Sequence, residues 1–150
     1  MSVVSEIMPK RKAITLRIES TPSAMDAAKL MIAKKTGSVI MVDHDGLPVG
    51  IITERDILKK VTKLNKRPKD IAAQDIMSFP VMTVRTYDSI ETAAAAMAKK
   101  RIKRLVVLEQ DGSLKGVLSI TDIAGKLAKV LATEYKRYGR FKALLNYAST

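Results

Sequence analysis

Gly50-Ile51-Ile52-Thr53-Glu54-Arg55-Asp56-Ile57 is matched, 66 residues later, by Gly116-Val117-Leu118-Ser119-Ile120-Thr121-Asp122-Ile123. Both stretches read Gly, two apolar residues, Thr or Ser, two variable positions and Asp. The same shift aligns Ile18–Ile57 with Val84–Ile123 without a gap, and 10 of those 40 positions are identical, Ser23/Ser89, Met31/Met97 and Asp45/Asp111 among them. Self-similarity at a fixed spacing marks a duplicated supersecondary unit. Glu6-Ile7-Met8 and Asp75-Ile76-Met77 correspond at a shift of 69, so the first copy carries three extra residues after Met8.

Each copy reads as a short strand, a helix, a buried hairpin and a second helix. Thr21-Pro22 and Asp88-Ser89 are expected helix starts, with an N-cap residue followed by Pro or Ser at the first helical position. Good helix formers fill Ala24–Lys35 and Ile90–Arg101. The apolar runs Val39–Val42 and Leu105–Leu108 are too short for helices and are read as buried strands. Asp45-Gly46 and Asp111-Gly112 mark turns into Val49–Ile52 and Lys115–Leu118, because glycine accepts the positive φ of a tight turn. A glycine interrupts each of those second strands, which implies close backbone approach there. After Ile123 comes an amphipathic stretch in which Leu127, Leu131, Tyr135 and Tyr138 recur at helical spacing, and Gly139 is expected to end it before a last turn through Phe141–Tyr147. One copy alone cannot bury both faces of so small a sheet. Two copies packed sheet against sheet, with helices outside, can, and the expectation is a pseudo-two-fold α+β domain. The boundaries read as 6–64 for the first motif, 65–74 for a linker, 75–130 for the second motif and 131–150 for a basic amphipathic helix or tail.

Composition narrows the chemistry. The 150 residues carry 27 Lys+Arg against 15 Asp+Glu, a formal charge of +12, yet 47% are hydrophobic, so the chain is globular rather than a disordered basic tail. With no cysteine and a single histidine, His44, thiolate nucleophiles, Cys-ligated metals and histidine dyads are excluded within one chain. His44 sits in a polar turn and reads as solvated, and the eight methionines read as core filling. No apolar run reaches a membrane span and Met1–Arg11 lacks a signal peptide's apolar segment, so the expected location is cytoplasmic, with no membrane partner.

The repeated Thr/Ser-x-x-Asp has two readings. In the first it is a capping box, with the hydroxyl taking one helix N–H and the acid reaching back to the cap's own N–H. In the second, the same helix start attracts a phosphate and the carboxylate accepts ribose hydroxyls, as acidic residues do in dinucleotide folds. Recurrence at equivalent places in both copies, each after a glycine, favours the second. Nothing places a nucleophile or a tuned acid beside Asp56 and Asp122, so no enzymatic role is expected.

In combination these residues resemble the paired CBS (cystathionine β-synthase) domain, or Bateman module, of the stand-alone prokaryotic or archaeal type. The resemblance runs from about Glu6 to Lys129 and rests on both Gly-x-x-Thr/Ser-x-x-Asp motifs, both Asp-Gly turns, the Ala-rich helices, Asp75-Ile76-Met77, Val81–Val84 and Asp88–Glu91. It implies two β-α-β-β-α CBS motifs packed sheet to sheet, commonly dimerised. It also implies regulation through an adenosine-containing ligand (AMP, ADP, ATP or S-adenosylmethionine) bound between the motifs, with no catalytic residues, and the regulated protein supplied in trans. Carried over by position, Asp56 and Asp122 would hold ribose, and Thr53, Ser119 and Thr121 phosphate or ribose oxygens. Thr83 and Val84 would form the adenine-side wall, and Lys103-Arg104 the phosphate cations of the second-copy site. Their first-copy counterparts, Gly37-Ser38, carry no charge, so the second-copy site is expected to be the polyphosphate site. Arg55 or Lys10-Arg11-Lys12 would supply charge to the first.

Basic runs at Lys59–Lys69 and Lys99–Arg104, and Lys136, Arg137, Arg140 and Lys142 among Tyr135, Tyr138 and Phe141, keep a nucleic-acid-binding protein on the same scaffold as the alternative. An amphipathic dimer helix with a solvated rim explains the last run equally.

Overall fold

The computed structural model describes residues 2–137, apart from the side chain of Tyr135. The expected helix end at Gly139, the turn 141–147 and the aromatic and basic residues beyond Arg137 lie outside the described residues. Each copy forms a three-stranded sheet. In the first, β1 (Thr15–Arg17) runs parallel to β2 (Ser38–Val42), which pairs antiparallel with β3 (Pro48–Thr53). In the second, β4 (Thr83–Arg85), β5 (Arg104–Leu108) and β6 (Leu114–Ser119) repeat that order and those directions. Helix α1 (Ala24–Lys34) connects β1 to β2, and α2 (residues 54–64) follows β3, with a π turn at Ile57–Val61. A short α3 (Ala73–Ile76) leads to the second copy, where α4 (Ile90–Lys100) and α5 (Ile120–Arg137) are the counterparts of α1 and α2.

Side-chain alternation along the strands builds three apolar layers. Val39, Met41 and Ile52 face α1 and close one core, while Leu105, Val107 and Leu118 face α4 and close another. The alternate residues Ile40, Val42 and Val106, with Ile51 and Val117 against them, form the seam between the sheets. The α+β sheet-to-sheet architecture expected from the duplication is therefore the one observed.

Two local readings need correction. Helix α1 is capped by Ser23, whose Oγ accepts the Asp26 N–H at 3.0 Å while the Asp26 carboxylate accepts the Ser23 N–H at 2.8 Å. The expected start at Thr21-Pro22 lies two residues early. Thr21 is left-handed (φ 46°), and the buried Pro22 turns its carbonyl to the Ala73 N–H at 2.8 Å, tying that segment to α3. In α4 the cap is Ser89, and Asp88 instead accepts the Arg85 N–H at 2.8 Å. Within the described residues, 131–137 is the uninterrupted end of α5.

The packing also crosses the two copies. Val4, Ile7 and Met8 pack on the second copy's core, and the Val4 N–H bonds the Asp88 carbonyl at 2.8 Å. Ile71, Ala73 and Ile76 pack on the first copy's core. The strand glycines are where these segments approach. A Cβ on Gly50 would overlap Met77 Sδ and lie 2.8 Å from its Cγ, and one on Gly116 would lie 3.0 Å from Met8 Cε.

Candidate functional site

The inter-sheet face carries Ile40, Ile51, Val106 and Val117. Two residues further along the same strands lie Ser38, Thr53, Arg104 and Ser119, so alternation brings these four polar side chains to the ends of the seam. There, two clefts open. The first, about 200 Å³, joins Thr53, Arg55 and Asp56 of the first copy to Arg101, Ile102, Lys103 and Arg104 of the second. The second, about 240 Å³, joins Ser119, Thr121 and Asp122 to Gly37, Ser38, Arg11 and Lys12 of the first copy. Each cleft is thus composite, with the hydroxyl and carboxylate from one copy and the pre-strand segment from the other.

This arrangement redistributes the expected residues. Lys103, expected beside Asp122, lines the Thr53–Asp56 cleft instead, because the segment entering β5 turns its side chains across the seam. The uncharged Gly37-Ser38 pair lies, reciprocally, in the Ser119–Asp122 cleft, whose local cations are Arg11 and Lys12. Arg104 lines both clefts. Thr83 and Val84 line neither: Val84 is buried with Val107 under α4, and Thr83 is exposed on the edge strand. The chain reaches the first cleft one and two residues earlier, at Met82 and Val81, and Ala13-Ile14 are their equivalents in the second. Ile51, Ile102 and Ser78 in the first cleft, and Val117 and Pro9 in the second, escaped the sequence reading. The apolar positions one repeat apart on the inward strand face were the available signal.

The two Thr/Ser-x-x-Asp motifs are both capping boxes, and they differ in what is left over. Asp56 is 6% exposed. One of its oxygens accepts the Thr53 N–H at 2.9 Å and the Thr53 hydroxyl at 3.2 Å. The other accepts the Ser78 hydroxyl at 2.9 Å and pairs with the Lys60 ammonium at 3.0 Å. Asp122 is half-buried, and its Oδ2 accepts the Ser119 N–H and hydroxyl, both at 2.8 Å. Its Oδ1 has no partner among the described residues. The equivalent of Ser78 is Pro9, which has no hydroxyl to donate, and Lys126, the equivalent of Lys60, makes no ion pair among the described residues. A carboxylate accepts through two oxygens. Asp122 leaves one without a partner among the described residues, whereas Asp56 spends both inside the protein.

Among the described residues no group of three or more His, Asp and Glu side chains is placed to hold a metal ion. Exposed His44 lies within 3.8 Å of Glu19 and 3.2 Å of Asp45, both on the surface and away from the clefts.

Fold and clefts define a class: a duplicated α+β module that presents two composite clefts, each lined by hydroxyls, a carboxylate and cations, along one seam. The CBS domain family matches at residues 4–63 and 73–129, and the chain belongs to that family. It is 35% identical over 122 residues to an uncharacterized protein of Methanopyrus kandleri, covering 81% of this chain and 62% of that one, so it spans less than two thirds of that relative's length. The solved structure of a CBS domain protein from Pyrobaculum aerophilum complexed with AMP superposes with a TM-score of 0.72 at 31% identity, over 81% of this chain and 89% of that one. A CBS domain pair in complex with 5-methylthioadenosine and S-adenosyl-L-methionine gives a TM-score of 0.74 at 28% identity, over 84% of this chain and 99% of that one.

Proposed function

We propose that this chain is a regulatory module that binds an adenosine-containing ligand in the clefts between its two copies and passes occupancy to another protein. The observation that carries the reading is the uncommitted Oδ1 of Asp122 in a cleft that also holds the Ser119 and Thr121 hydroxyls and the cations Arg11, Lys12 and Arg104. A carboxylate acceptor for ribose next to cations for phosphate fits AMP, and ADP or ATP by extension. S-adenosylmethionine is the less anionic candidate. Thr53 and Asp56, with Arg55, Lys103 and Arg104, form the counterpart site, in which the carboxylate must leave Ser78 before it can take ribose. Neither cleft is assigned a catalytic step.

The proposal includes a homodimer and a regulated protein in trans. Ile32 and Leu58 in the first half, and Leu127, Val130 and Leu131 on α5, are exposed apolar residues on the outer helices and supply the surface for self-association. No helix of the described residues is long and apolar enough to cross a membrane.

Titration calorimetry with AMP, ADP, ATP and S-adenosylmethionine tests the reading. Saturable heat with at least one ligand in the wild type, lost from the second cleft in Asp122→Ala, is expected. Absence of heat with all four contradicts it.

A further inference from the structure

We propose that Arg104 is a single anion-binding group shared by the two clefts, so that a phosphate bound in one withdraws it from the other and phosphorylated ligands bind antagonistically. The inference rests on the adenosine-ligand reading and adds a mode of regulation to it.

Arg104 opens β5, in register with Ser119 on β6, and so stands beside the hydroxyl of the second cleft. Its side chain crosses the seam to the first copy. A Cβ built on Gly37 would overlap Arg104 Nη2 and lie 3.0 Å from Cζ, so the guanidinium occupies the space that glycine leaves. It lines both the Thr53–Asp56 and the Ser119–Asp122 clefts. The other cations are private. Arg55, Arg101 and Lys103 line only the first cleft, and Arg11 and Lys12 only the second.

The duplication shows why the sharing is one-sided. Under the 66-residue shift, Arg104 corresponds to Ser38 and Lys103 to Gly37. Where the pseudo-two-fold would place a cation on each side of the seam, one side has the long side chain and the other the hole it fills. The guanidinium carries five donors and a fixed positive charge, and among the described residues it makes no hydrogen bond or ion pair. Its donors are therefore available to a ligand. All the donors of the planar fork move with one side chain, so gripping a phosphate in bidentate fashion in one cleft draws the guanidinium away from the other. Linkage makes the antagonism reciprocal, whichever cleft fills first. Adenosine, with no phosphate, does not compete for Arg104 and binds the two clefts independently of it.

The test uses single-cleft proteins. Ser78→Trp fills the first cleft from an exposed position, and Asp122→Ala removes the ribose acceptor of the second. Ile102→Trp replaces Ser78→Trp where that variant's melting temperature falls. Arg104→Ser, which installs the residue found at position 38, is added to each, and AMP and adenosine affinities are read by calorimetry. A shared group predicts that AMP binding weakens about tenfold in both backgrounds, within the usual range of site coupling, and that adenosine binding is unchanged. Loss in one background only, in neither, or equally for adenosine overturns the sharing while leaving the cleft assignment standing. A wild type that binds neither AMP nor adenosine overturns the cleft assignment itself.

Discussion

Asp56 and Asp122 occupy equivalent positions yet are predicted to fail differently when truncated. Asp56→Ala removes a carboxylate that accepts three hydrogen bonds, from the Thr53 N–H, the Thr53 hydroxyl and the Ser78 hydroxyl. At about 0.5–1.5 kcal/mol net per bond, the loss comes to about 2–4 kcal/mol. The Lys60 bridge adds at most about 1 kcal/mol, because the lysine side chain is 41% exposed. Asp122→Ala removes two bonds, both from Ser119 and both nearer solvent, for about 1–2 kcal/mol. The difference of about 1–2 kcal/mol puts the Tm of Asp56→Ala about 2–8 °C below that of Asp122→Ala in a chain of this size. Ligand affinity should run the other way, with Asp122→Ala losing binding in its cleft outright. The assay is thermal unfolding by circular dichroism without ligand, paired with calorimetry. Equal Tm losses, or a larger loss for Asp122→Ala, would refute the division of labour between a structural and a ligand-facing carboxylate.

Other expectations follow from the same contacts. The double variant Lys60→Met/Ser78→Ala releases Oδ1 of Asp56 from both of its partners and should strengthen AMP binding in the first cleft several-fold, read as a gain at that site by calorimetry; unchanged affinity counts against the latch. Gly50→Ala drives a methyl into Met77 as far up the side chain as Cβ, 3.1 Å away, and should cost about 1–3 kcal/mol, as overpacking does. Gly116→Ala meets only the flexible end of Met8 and should cost less than about 1 kcal/mol; urea midpoints distinguish the two. The Ser23 N–H, and next its hydroxyl, hold the Asp26 carboxyl below the usual aspartate value. That contribution is fully present above the ordinary pKa and disappears as pH falls through the folded-state value. Asp26→Asn should therefore flatten the stability profile below about pH 4, and a profile that keeps its slope there would contradict the capping box.

The duplication made the architecture legible, because ten identities at one shift pair glycine with glycine and aspartate with aspartate, and period-two apolar runs identify the strands. Asp56 and Asp122 were legible as site candidates for the same reason. Which residues face them was not. Sequence adjacency joined Lys103 and Arg104 to Ser119–Asp122, whereas Lys103 lines the opposite cleft and Arg104 lines both. Thr83 and Val84 line neither cleft: Val84 falls on the helix-facing side of its strand, and the lining runs through Pro80, Val81 and Met82. The unequal state of the two carboxylates was written in Ser78 against Pro9, but only the crossed packing of those segments gives the substitution its meaning. The charge of +12 resolves in part into cations local to each cleft and one between them.

A ligand bound across the seam in the Ser119–Asp122 cleft must be felt by residues of both copies at once. Titrating AMP into isotopically labelled protein and following backbone amides tests it most directly. Ser119, Asp122, Gly37 and Ser38 should shift together and saturate with one affinity, and Asp122→Ala should abolish the set. Shifts confined to exposed cations such as Lys59 and Lys63, or none at Ser119 and Gly37, would contradict it.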